Sequence, residues 1–148
     1  MYRKILVPLD GSERAEKIMA YIAELAEQFD TDVILLSVFQ PTPVPVPARP
    51  AYRPNGRNTI QQALAKAESY LNRQCGKLYL MAIHARARVV EGPVVETILS
   101  IAAQENVDLI AMASHGRTGL SRVLYGSVAA GVLHNTDRPL LLIRSLDY

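Results

Sequence analysis

Two rhythms of hydrophobic residues divide this chain. The first is the short, nearly unbroken apolar run, found at residues 4–9, 33–39 and 107–113, with a shorter one at 140–143. Runs of this length suit strands covered on both faces of a sheet. Residues 84–90 alternate more, which predicts an edge strand. The second rhythm is three- and four-residue spacing. Ala15, Ile18, Met19, Ile22, Ala23, Leu25, Ala26 and Phe29 recur in this way, with Glu13, Glu16, Lys17, Glu24 and Glu27 filling the other face. This predicts an amphipathic helix, entered through the turn Asp10-Gly11-Ser12 with Ser12 as its cap. Ile60, Ala63, Leu64, Ala67, Tyr70, Leu71, Cys75 and Leu78 predict a second helix, from residue 58 or 59 to about 80. Val94, Val95, Ile98, Leu99, Ala102 and Ala103 mark a third, entered through Glu91-Gly92-Pro93 with proline at its first position. A short fourth helix spans about 126–135.

Strands alternating with helices imply a parallel sheet with helices on both faces, because each parallel return needs a crossover. Ligands of such folds bind beyond the carboxyl ends of the strands, where strand order reverses. Attention therefore falls on Leu9-Asp10, Val38-Phe39 and Ala113 onward. The stretch 41–57 breaks both rhythms. Six of the chain's nine prolines lie in it, with Arg49, Arg53 and Arg57. Such a segment predicts a long solvated loop with a polyproline bias.

Composition narrows the classes. The 148 residues fit one domain, 1–148. A chain with 49% hydrophobic and 20% charged residues can build a core and is not of the disordered type. A net charge of +2 is too small an excess to imply a nucleic-acid partner. No apolar run approaches the ~18 residues of a membrane span, so no membrane partner is expected. The N-terminal residues lack the pattern of a signal peptide, and the one cysteine, Cys75, allows no internal disulfide. The expectation is a soluble, reduced, cytoplasmic protein.

Several chemistries have no motif here. A Walker A sequence, G-x-G-x-x-G, a Gly-x-Ser-x-Gly elbow and H-E-x-x-H are all missing, and the histidines lack ligand spacing, so neither a catalytic set nor a metal site is expected. Cys75, in a helix without an adjacent base, reads as a structural thiol. The informative stretch is 113–128. It leaves a buried strand, crosses a polar loop bearing Gly116, Arg117 and Arg122, and enters a helix at Gly126-Ser127. A helix N-terminus presents free N–H groups and a partial positive charge, which suit a phosphate. A plain turn with an N-cap would read the same way. His115 is loop structure or a nucleotide contact rather than a base, since no nucleophile stands beside it.

The same residues resemble the universal stress protein family over nearly the whole length. The resemblance rests on residues 4–12, 88–93, 108–120, 124–129 and 138–143, in order and properly separated. The family's ATP-binding branch carries G-x2-G-x9-G-[S/T]. Gly116, nine intervening residues, Gly126 and Ser127 fit it, while Ala113 replaces the first glycine. The resemblance implies a single α/β sandwich with a five-stranded parallel sheet in the order 3-2-1-4-5. It implies ATP, with Mg2+, as the ligand. Gly116, Gly126, Ser127 and the Val128 amide would hold the phosphates, with Ala113 in place of the first glycine; Arg117, in the same polar loop, would add charge. Asp10 would bond the ribose beside Pro8 and Leu9, and Val38 would meet adenine through its backbone. Asp10 read without the resemblance is also a plain turn residue. The resemblance further implies a homodimer paired through the last strand, acting in stress response or signalling with a partner that the sequence does not name. Two rival readings stand beside it: a nucleotide-free dimeric interaction module, and a slow ATP hydrolase or autokinase.

Overall fold

The computed structural model describes residues 1–40, 56–114 and 126–144. The elements in chain order are β1 (Lys4–Pro8), α1 (Glu13–Glu16), α2 (Ile18–Phe29), β2 (Asp32–Phe39) and α3 (Gly56–Tyr79). They continue with β3 (Ala85–Glu91), α4 (Val94–Gln104), β4 (Leu109–Ala113), α5 (Ser127–Asn135) and β5 (Leu140–Ile143). The five strands form one parallel sheet in the order β3-β2-β1-β4-β5. The fold and strand order are those expected.

Alternate residues of each central strand go to opposite faces, and both faces are covered. Ile5, Val7, Val33, Leu35, Leu109 and Ala111 pack with Ile18 and Ile22 of α2 and Leu71 and Leu78 of α3. Leu6, Ile34, Leu36, Ile110 and Met112 pack with Ile98, Ile101 and Ala102 of α4 and Ala129 and Val132 of α5. That two-sided burial is why these strands read as continuous apolar runs. The carboxylate of Asp108 ties the sheet at its lower end, accepting from the Arg3 and Lys4 N–H groups at 2.8 and 2.9 Å.

Three boundaries differ from the sequence reading. The first amphipathic stretch is two helices, broken at Lys17, whose N–H turns back to Arg14 O. Pro93 is the N-cap of α4 rather than its first residue, with ψ of 134°, and its carbonyl accepts from Thr97 N–H. Helix α3 is already formed at Gly56, two residues into the stretch expected as loop; residues 41–55 lie outside the described residues.

Candidate functional site

At the carboxyl ends of β1, β2 and β4 the sheet opens into a cavity of about 260 Å³. That is just below the ~300–1,000 Å³ typical of small-ligand sites. The strands contribute Pro8 and Leu36, with Val38 and Met112, and Ala113 closes the floor. Leu9, Asp10 and Ser114 follow the strand ends at the rim. Helix α4 gives Val94 and Ile98, one turn apart, and α5 gives Ser127, Val128 and Ala129 behind Gly126. The cavity sits where strand order reverses, since β1 has β2 on one side and β4 on the other.

Two local devices fix its polar rim. Asp10 lies in a turn made possible by Gly11 at φ +83°. Its Oδ1 accepts from the Ser12 N–H at 2.9 Å and the Ser12 hydroxyl at 2.5 Å. Ser12 Oγ in turn accepts from Ala15 N–H at 3.1 Å and caps α1. On the other side, Gly126 N–H donates to Ser114 O at 2.6 Å, and Ser114 N–H donates to Ile143 O at 2.8 Å. The end of β4 and the start of α5 are therefore tied together. The first intrahelical bond of α5 runs from Ala130 N–H to Gly126 O. The amides of Ser127, Val128 and Ala129 precede it, and among the described residues no side chain caps this helix. Those are the groups that a helix N-terminus offers to an anion.

The structure thus brings Pro8, Leu9, Asp10, Val38, Ala113, Gly126, Ser127 and Val128 to one cavity. Gly116, Arg117, His115 and Arg122 lie outside the described residues. Gly126 has φ −64°, a conformation open to any residue, so only a close approach to its backbone would require glycine there. From the sequence, Leu36 and Met112 read as buried strand residues and Val94 and Ile98 as a helix's apolar face, while Ala129 is given no role. A signal was available: Leu36 shares the face of Val38 two residues on, and Val94 and Ile98 open α4 directly after Pro93.

The whole-chain pattern matches the family model described as the universal stress protein family, over residues 1–144. The chain belongs to the universal stress protein family. Universal stress protein MJ0531 of Methanocaldococcus jannaschii is 27% identical over 97% of this chain and 83% of its own length. The solved structure of MJ0577, from the same organism, is 30% identical, with a TM-score of 0.85 over 100% of this chain and 99% of that one. A universal stress protein family member from Arabidopsis thaliana, solved with AMP bound, shares the fold at 18% identity. Its TM-score is 0.69, over 97% of this chain and 92% of that one. Among the described residues of this universal stress protein, no helix is long and apolar enough to cross a membrane.

Proposed function

We propose that this universal stress protein binds an adenine nucleotide in the cavity, with ATP, carried with Mg2+, as its ligand, and works as a homodimer in stress response or signalling. The observation that carries the reading is the pairing of an apolar cavity with the N-terminus of α5 at its mouth, which no side chain caps among the described residues. Leu36, Val38, Val94, Ile98 and Met112 suit the flat faces of a base. Asp10 stands at the rim where a ribose hydroxyl would donate. The Ser127 hydroxyl and the amides of Ser127 to Ala129 suit phosphate oxygens, which the helix dipole favours. Structures of the same fold solved with AMP, cAMP and dAMP add support for this ligand class. Turnover is no part of the proposal; the role is binding.

Calorimetric titration of ATP-Mg into nucleotide-stripped protein tests it. Ser127→Ala removes one hydrogen bond to a charged group, and affinity should fall roughly ten- to a hundredfold. Gly126→Val puts a branched side chain against the phosphate path and should abolish binding. Ala113→Gly, which restores the glycine of the family motif, should leave affinity equal or tighter. Binding undetectable at millimolar ATP would promote the nucleotide-free interaction module. Binding unchanged by Gly126→Val would put the nucleotide elsewhere.

A further inference from the structure

Among the described residues, the cavity wall from Asp10 to Ala15 is built from little regular structure. It consists of a turn and the four-residue α1, ending at the break after Glu16. A single helical turn does not hold itself, since nucleation costs more than one turn of bonds returns. Its hydrogen bonds include those from Ser12 to Asp10, from Ala15 and Glu16 back to Ser12, and from Lys17 back to Arg14. Ala15 packs into the core, and a polar anchor reaches the end of α1 from α3. The Tyr70 hydroxyl donates to Glu16 Oε1 at 2.6 Å, and Gln74 Nε2 donates to the same oxygen at 3.3 Å. Tyr70 and Gln74 are one turn apart on α3, and Gln74 is only 6% exposed. A nearly buried amide committed to a carboxylate is expensive to leave unpaired.

We propose that Tyr70 and Gln74 are positioning residues for the cavity, holding α1 through Glu16 and so setting the Asp10–Ala15 wall against a ligand that they do not touch. Burial first, then the Glu16 hydrogen bond and charge, push the Tyr70 hydroxyl well above its usual range, with a further contribution from Asp10. The shift favours the protonated hydroxyl, the form that donates to Glu16. The role deepens the nucleotide reading and rests on it for the ligand's identity.

The test separates the two. Amide hydrogen exchange at residues 12–16 is compared between ligand-free wild type, Tyr70→Phe and Glu16→Ala. Both variants should exchange faster there, with the central strands unchanged. In ATP-Mg titration, Tyr70→Phe should weaken binding about fivefold, the worth of one net hydrogen bond. Glu16→Gln, which keeps the accepting oxygen, should stay within about twofold of wild type. In an Asp10→Ala background, Tyr70→Phe should have almost no further effect on affinity, because the contact it positions is gone. Unchanged exchange at 12–16 in both variants overturns the clamp. So does a Tyr70→Phe loss that persists in full in the Asp10→Ala background, the mark of a residue acting on the fold alone. If wild type binds no nucleotide, the ligand reading fails, and the exchange result alone decides the clamp.

Discussion

At the scale of single residues, the least legible features are the helix ends. Three helices finish in the same way with no glycine. Asp30, Ala82 and Asn106 follow α2, α3 and α4 at φ 52°, 61° and 51°. The next residue in each case sends its N–H to a carbonyl five positions back: Thr31 to Ala26, Ile83 to Leu78 and Val107 to Ala102. These residues are 3%, 5% and 2% exposed, so each stop is sealed by burying the residue that follows it. Asp and Asn tolerate the left-handed region because their side chains can bond locally; Ala has no such compensation. The sequence marks none of the three with glycine, and α3 has no asparagine either, so its end reads only as near residue 80. The strain at Ala82 gives a prediction. Ala82→Gly should raise stability by roughly 0.5–1 kcal/mol, the left-handed penalty removed less the extra freedom of glycine in the unfolded chain. Ala82 is exposed, so the substitution takes away no core contact. A urea denaturation midpoint equal to or below wild type would contradict it.

At the scale of elements, the hydrophobic pattern places the five strands and the helical stretches 13–29, 58–80 and 94–103 of the described residues but not their breaks. Residues 15–29 kept one apolar face across Lys17, because that residue stays in the helical region at φ −60° and ψ −23°. A face is insensitive to one lost hydrogen bond, so α1 and α2 read as one. The cavity was half legible for a related reason. Asp10, Gly126 and Ser127 break the apolar pattern and were singled out, whereas Leu36, Ile98 and Met112 obey it. An apolar side chain on a cavity wall has the same spacing as one in the core. The seating of α5, which fixes its N-terminal amides at the cavity, depends on a glycine that the sequence reading passed over. A Cβ on Gly131 would lie 2.7 Å from Cγ2 and 3.1 Å from Cγ1 of Val95 on α4. Valine is short and stiff at χ1, so it cannot swing away and the helices must separate. Gly131→Ala should therefore destabilise by about 1–3 kcal/mol through overpacking, less up to ~1 kcal/mol returned by helix propensity. In a Val95→Ala background the clash is relieved and the same substitution should become neutral or stabilising. Chemical denaturation of the four proteins reads this. A Gly131→Ala effect independent of residue 95 would mean that the contact does not set the helix spacing.

At the scale of the whole molecule, the edges of the sheet decide how copies can meet. Strand β3 closes one edge and β5 the other. The β3 edge carries charge, with Arg86 and Arg88 both paired to Glu105, whose carboxyl is held below its usual range chiefly by the Arg86 hydrogen bond. Charged edges discourage pairing. The β5 edge is Leu140-Leu141-Leu142-Ile143, without a charge, and no strand covers its outer side among the described residues. Ile110 N–H donates to Pro139 O and Ser114 N–H to Ile143 O, so the odd-numbered residues of β5 face β4. Backbone groups alternate sides along a strand, so those of Leu140 and Leu142 face outward. This alternation turns the proposed homodimer into a sharp test. Leu142→Pro deletes an outward donor while leaving the β4 ladder intact, and proline's demand for an extended preceding residue is already met in a strand. Leu142→Ala removes the same side chain but keeps the donor. Wild type and Leu142→Ala should scatter light at twice the 16.3 kDa of one chain, and Leu142→Pro at the monomer mass with an unchanged circular dichroism spectrum. A wild type that is already monomeric, or a Leu142→Pro protein that remains a native dimer, would remove β5 as the pairing edge. The second result would point to helix faces instead.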